Sequence, residues 1–224
     1  MCGVCGCRQL IPLAAEEPRL ANTARVAFSP ESEARRVAVE RSLLDHNRAH
    51  AESLAKRLAE CGIEAIGILG GPGAGKTALL EATFEHLGRE DAAREAVVEG
   101  DCATDFDARR VAAKGARVAQ VATGSLCHLD AHLVEHALDE IDLSGVDRLW
   151  IENVGNLVCP APFPCGERRR VVLISVAEGD HKPEKYPAMF AGADLLVISK
   201  ADLLPYVDFD VARCITGARR ARPG

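Results

Sequence analysis

The chain of 224 residues is 48% hydrophobic and 4% aromatic and carries a net charge of −6. That apolar content supports a packed core and excludes global disorder. The negative balance and the scarcity of stacking surfaces exclude general nucleic-acid binding. No apolar run reaches the roughly 18–20 residues of a membrane span, and the start lacks the basic segment and long apolar run of a signal peptide. A cytoplasmic protein with reduced thiols and no membrane or nucleic-acid partner is therefore expected.

The chain opens with MCGVCGC, which places Cys2, Cys5 and Cys7, three of nine cysteines, within seven residues. Cysteines in a reduced compartment read as metal ligands, redox centres or small buried residues. Residues 8–30 contain Pro12, Pro18 and Pro30 and no hydrophobic period, the composition of a flexible tether. Ser29-Pro30 then offers an N-cap and first helical residue. Val37, Leu44, Ala51, Leu54 and Leu58 line one face of a long helix that runs to about Cys61 and stops at Gly62. Beyond it, apolar strand-like runs at 65–69, 96–98, 117–122, 148–154, 170–177 and 194–199 alternate with helical segments near 75–87, 105–114, 129–140 and 183–191. This pattern predicts an α/β fold with a mainly parallel sheet covered by helices on both faces, with ligands beyond the carboxyl ends of its strands. Residues 31–224 would form this domain.

The first strand-to-helix turn reads GILGGPGAGKT and matches the phosphate-loop pattern G-x-x-x-x-G-K-S/T from Gly70 to Thr77. Gly70, Gly73 and Gly75 would let backbone amides close around phosphates, joined by those of Lys76, Thr77 and Ala78 at the new helix N-terminus. The Lys76 ammonium would reach the β/γ-phosphates and the Thr77 hydroxyl would bind Mg2+. This makes the chain a P-loop NTPase. Position 71 is glycine where some dimeric P-loop ATPases carry lysine, which favours a GTPase. The late strand ends in Ser199-Lys200-Ala201-Asp202, which resembles the N/S/T-K-x-D element of P-loop GTPases. There Asp202 would accept from guanine N1–H and the 2-amino group, and the Lys200 stem would cover the base. Ser199 replaces the commoner asparagine, a departure expected to weaken loop bracing. In DRLWIENVGN, Glu152 ends a strand and would hold a Mg2+ water, with the Gly155 amide at the γ-phosphate. Asp101, after the second strand, serves either that metal shell or as a helix N-cap.

Two stretches hold soft ligands: ATGSLCHLDAHLVEH, with Cys127 and His128, and GNLVCPAPFPCG, with Cys159 four residues after Gly155. Thiolate and imidazole suit Zn2+ or Ni2+. His132 and His136 read as a solvated helix face, Cys165 as a spare ligand, and Cys61, Cys102 and Cys214 as packed cysteines.

The N-terminal C-x-x-C-G-C, GGPGAGKT, CHLDA, WIENVGNLVCP, EGDHKPEKYP and SKADLLPY together resemble the nickel-incorporation GTPases of hydrogenase maturation, the HypB family. The resemblance implies binding and hydrolysis of GTP to GDP and delivery of Ni2+ to the large subunit of nickel–iron hydrogenase, alongside a maturation partner. It implies a tight nickel site at Cys2, Cys5 and Cys7, where S/N donation with the α-amino group suits Ni2+. A weaker Ni2+ or Zn2+ site at Cys127, His128 and Cys159 is implied at the interface of a GTP-promoted homodimer. Many relatives carry a histidine-rich stretch after the cysteines, and residues 8–30 hold no histidine, which argues against nickel storage there. The family continues past ARCITGARRARPG through another strand, a guanine-contacting loop and a last helix, so the chain reads as a fragment or a divergent gene product. Other readings are a urease-type nickel GTPase, which lacks the N-terminal cysteine motif, a zinc-regulated nucleotide switch, and a small-molecule kinase, for which no acceptor-site motif is present.

Overall fold

In a computed structural model of the chain, residues 30–101 and 104–222 are described; Cys2, Cys5, Cys7, the tether with Ser29, and Cys102 lie outside them. The chain divides into two compact units, Met1–Ala38 and Val39–Gly224. In the first, the helical backbone of residues 30–38 is described. All that follows concerns the second.

Helix α1 (Pro30–Glu60) stops in a Schellman motif: Gly62 N–H donates to Ala59 O at 3.0 Å, and Ile63 N–H to Leu58 O at 2.9 Å. Gly62 takes φ 75°, a left-handed value that glycine adopts without steric cost. The expected apolar face is buried at Ala51, Leu54 and Leu58, but Leu44 is half-buried and Val37 exposed. One apolar residue per two turns offers too narrow a stripe to bury there.

Strands β1 (Glu64–Gly70), β2 (Glu95–Asp101), β3 (Arg117–Ala122), β4 (Arg148–Glu152), β5 (Arg169–Ser175) and β6 (Leu195–Ser199) form one sheet in the order β3-β2-β4-β1-β5-β6. Every pairing is parallel. Helices α2 (Lys76–Leu87), α3 (Arg89–Ala92), α4 (Phe106–Ala112), α5 (Ala131–Leu138), α6 (Lys182–Lys185), α7 (Pro187–Ala191) and α8 (Val211–Ala221) connect or follow the strands. The two-sided parallel sheet read from the sequence is present.

Side chains alternate across the pleat and so sort the helices. On one face Ile68, Val97, Trp150 and Leu173 pack with Leu80 and Phe84 of α2 and Val111 of α4. On the other, Ala65, Val98, Leu149 and Ile151 meet Leu54 and Leu58 of α1 and Val134 and Leu138 of α5. Farther along the sheet, Leu69, Val172 and Ile174 pack with Met189, Phe190 and Cys214. Each fully buried side chain of this size contributes about 1.5–3 kcal/mol.

Two differences from the sequence reading are local. The single helix expected at 183–191 is two, α6 and α7, broken at Tyr186 (ψ 55°), because Pro187 disfavours the helical conformation in the residue before it. Helix α8 was not anticipated; the Asp210 carboxylate caps it by accepting from Arg213 N–H at 3.0 Å.

The order of the strands locates the site. After β1 the chain winds toward β2, and after β4 it crosses back toward β5. The carboxyl ends of β1 and β4 therefore flank the point where winding reverses, the crevice in which such sheets bind ligands. Residues 70–77 and 152–159 leave the sheet there.

Candidate functional site

The turn after β1 is wrapped tightly. Gly73 and Gly75 adopt φ 71° and 94°, and a Cβ on Gly155 would stand 2.8 Å from Pro72 Cα. Gly71 lies against the Glu178 carboxylate, which leaves no room for a side chain; this is why position 71 holds glycine here. Helix α2 has no side-chain cap, and its amides at Lys76, Thr77 and Ala78 precede the first helical bond, from Leu79 N–H to Gly75 O. Such an N-terminus favours an anion. Lys76 and Thr77 are buried, 8% and 7% exposed.

Below this loop the sheet supplies carboxylates. Parallel register sets Glu99 of β2 beside Glu152 of β4, with side chains on the α2 face. Glu152 Oε1 accepts from the Thr77 hydroxyl at 2.8 Å. The other oxygen of Glu152 and Oε2 of Glu99 are buried with no hydrogen-bond partner among the described residues. Burial raises the pKa of Glu152, opposed by Lys76 and the Thr77 hydrogen bond. Glu99 is pushed up to about 8, first by burial and then by the charges of Glu152, Asp101 and Asp107. Asp101 Oδ2 accepts from Thr104 N–H at 3.1 Å and from its hydroxyl at 2.7 Å; the N-cap of α4 is Asp105, so Asp101 does not cap that helix. These groups line a cavity of about 270 Å³ together with Pro72, Gly73 and Gly155. Orphaned buried carboxylate oxygens beside a hydroxyl and a loop of amides are a donor set that fits Mg2+ and a polyphosphate.

The far wall comes from β6. Ser199 Oγ donates to Ala74 O at 2.6 Å. The expected loss of bracing is thus corrected: the serine hydroxyl reaches the phosphate-loop backbone directly. Lys200 follows in the left-handed conformation, φ 56°, and is exposed, as is Asp202.

The segment after β4 joins the loop to the soft ligands. Asn156 N–H donates to Gly70 O at 3.0 Å, and its Oδ1 accepts from Val158 N–H at 2.8 Å and Cys159 N–H at 3.2 Å. Asn153 Oδ1 accepts from Leu129 N–H at 2.8 Å and so holds the stretch that carries Cys127 and His128. Cys127 Sγ lies 3.7 Å from His128 Nδ1. The His128 ring stacks on Phe163 with centroids 4.2 Å apart, and burial lowers its pKa against the pull of Asp130, which keeps the imidazole neutral as a metal requires. Within one chain Cys127, His128 and Cys159 do not meet as a compact trio; His50, His132 and Glu135 do, their ligand atoms within 4.8 Å of one another, alone among the described residues.

The nucleotide-binding domain model of the CobW/HypB/UreG family matches residues 64–224. The chain belongs to that family. The hydrogenase maturation factor HypB of Azotobacter vinelandii is 47% identical over 192 residues, 86% of this chain and 63% of that protein. The chain thus spans less than two thirds of that curated relative's length. The crystal structure of HypB from Archaeoglobus fulgidus is 41% identical with a TM-score of 0.72, covering 80% of this chain and 86% of that one. HypB from Helicobacter pylori, solved in complex with nickel, is 38% identical with a TM-score of 0.73, covering 80% and 83%.

In this CobW/HypB/UreG domain the other cysteines fall differently from expectation. Cys165 is no spare ligand: it is buried, its thiol donates to Leu129 O at 3.3 Å, and burial holds its pKa well above the ordinary value. Cys61 is exposed rather than packed, because it sits at the turn that ends α1, while Cys214 is buried as expected. Glu99 was missed. Its signal in the sequence was an acid two residues before Asp101 inside an otherwise apolar strand.

Proposed function

We propose that the chain is a GTPase and nickel metallochaperone, which binds GTP at the phosphate loop, hydrolyses it to GDP and phosphate, and inserts Ni2+ into the large subunit of nickel–iron hydrogenase during maturation. Relatives named as hydrogenase maturation factors, one of them solved with nickel, support this reading. The observation that carries it is Asn156, which hydrogen-bonds at once to the Gly70 carbonyl and to the Cys159 amide. A phosphate-loop element and a thiol ligand are thereby linked through one residue.

Thr77 and Glu152 would hold Mg2+, with Glu99 and Asp101 beside them. Bound there, Mg2+ supplies positive charge against the phosphates. Lys76 places a fixed, desolvated ammonium at the same end of the cleft, where charge on the phosphates develops. Gly155 lies against Pro72, so its amide meets whatever occupies the loop. Asp202 selects guanine by accepting from N1–H and the 2-amino group, and Lys200 covers the base. Cys127 and His128 pair in one chain while Cys159 stands apart, so the Ni2+ or Zn2+ site is completed by a movement of 155–159 or by a second copy of the chain in a GTP-promoted homodimer. Cys2, Cys5 and Cys7 form the tighter nickel site on a tether, and residues 31–224 form the GTPase domain. The maturation partner and the hydrogenase subunit receive the metal.

The test is a Ni2+ titration of the purified chain with GDP and with a non-hydrolysable GTP analogue, repeated on Cys159→Ala. Affinities that differ several-fold between nucleotides in the parent and coincide in the variant are expected, and linkage requires the metal to change nucleotide affinity by the same factor. Equal affinities in the parent would refute switch-driven metal release. In parallel, Asp202→Asn should exchange guanine preference for xanthine; an unchanged preference for GDP would remove the base assignment.

A further inference from the structure

Four of the seven histidines, His46, His50, His132 and His136, gather on one surface where α1 passes α5. His132 and His136 are exposed, as expected of a polar face, but they do not act as isolated surface residues. His50 Nδ1 lies 3.2 Å from Glu135 Oε2. The His50 and His132 rings stand 5.3 Å apart, centroid to centroid. His132 Nε2 and His136 Nε2 are 3.2 Å apart. His46 stacks edgewise on His50 at 4.7 Å.

We propose that His50, His132 and Glu135 form a further binding site for a divalent transition-metal ion, with His136 as an additional donor. Zn2+ and Ni2+ are the ions suited to it.

Geometry carries this. Bonds of about 2.0–2.1 Å in a tetrahedral site set neighbouring donors roughly 3.3 Å apart. The His50–Glu135 pair and the His132–His136 pair already stand at that separation, 3.2 Å each. The donors rise from two helices whose positions are fixed by the core beneath them: Leu54 and Leu58 of α1 pack with Val134 and Leu138 of α5. Asn47, one turn before His50, accepts from Ala131 N–H at 2.8 Å and donates to Pro164 O at 2.9 Å, which locks the register of the two helices. Arg57 Nη1 faces the other oxygen of Glu135, Oε1, at 3.6 Å, and this orients Oε2 toward the histidines. Imidazole with one carboxylate selects Zn2+, Ni2+ or Cu2+ over Mg2+ or Ca2+. The site uses neither thiols nor the phosphate loop and does not depend on the nucleotide reading. It supplies imidazole donors on the folded domain, where the tether has none.

The full-length chain with Cys2, Cys5, Cys7, Cys127 and Cys159 replaced by serine is titrated with Zn2+, and with Co2+ for its visible absorption bands. One equivalent should bind with the spectrum of nitrogen and oxygen ligation. His50→Ala and His132→Ala should each weaken binding by tenfold or more, while His86→Ala, an exposed histidine elsewhere, should leave it unchanged. Glu135→Gln, which keeps the side-chain shape, should weaken it less. Unchanged circular dichroism separates loss of ligands from loss of fold; were an alanine variant unfolded, His50→Gln and His132→Gln would replace it. Absence of binding in the serine variant, or binding indifferent to His50 and His132, would overturn the assignment.

Discussion

Glu95 and Glu99 occupy the same face of β2, four positions apart, and meet opposite fates. Glu95 is enclosed by Arg148, whose Nη2 donates at 2.6 Å, and by Trp150 Nε1 at 2.6 Å. Glu99 keeps one buried oxygen without a partner, and its pKa is pushed up to about 8. A carboxyl whose folded pKa exceeds its unfolded value holds its proton longer in the native state. Its contribution is complete below the unfolded pKa and is lost as pH rises through about 8. In buffer free of divalent cations, stability should therefore fall from about pH 5 to about pH 8.5, and Glu99→Gln should remove most of that fall. Urea denaturation of both proteins across this range measures it; parallel curves would show that Glu99 does not titrate as stated.

Among the elements, the segment from β4 to Cys159 is the one on which coupling depends. It leaves the sheet at Glu152, clamps Leu129 through Asn153, touches Pro72 through Gly155 and bridges to Gly70 and Cys159 through Asn156. Asn156→Ala keeps the backbone bond to Gly70 but removes the two bonds that order Val158 and Cys159. The expected cost is about 1–2 kcal/mol in stability. The larger effect should be on coupling: metal affinity at the soft-ligand site should lose its dependence on GDP against GTP analogue, with nucleotide affinity itself nearly retained. Thermal denaturation and metal titration separate the two, and preserved dependence would mean that the link runs elsewhere.

At the scale of the whole molecule, the first seven residues carry their three cysteines ahead of a stretch without packing period. Deleting residues 1–7 should remove the tight nickel site and leave GTP hydrolysis and the melting temperature unchanged; nickel stoichiometry before and after is the measurement. Features with local causes were legible in the sequence: the strand–helix alternation, the Gly70–Thr77 loop, the Gly62 stop, the Ser199–Asp202 turn. Features set by which distant side chain arrives were not. Nothing in EAVVEGD says that Arg148 and Trp150 will come to Glu95 while Glu99 Oε2 finds no partner. His50 and Glu135 are 85 positions apart, and a heptad count on α1 cannot see α5. The broken helix at Tyr186 was readable from Pro187 and was passed over.

The buried carboxylate pair has a consequence for how such a domain evolves. Two acids side by side in a parallel register, short of partners, are a standing debt in the apo fold, and an apolar residue of similar volume at either position would relieve it. Drift or laboratory selection for heat resistance alone would therefore erode this corner of the cleft first. The persistence of Glu99 and Glu152 in this chain is then the signature of a ligand that repeatedly occupied the space between them.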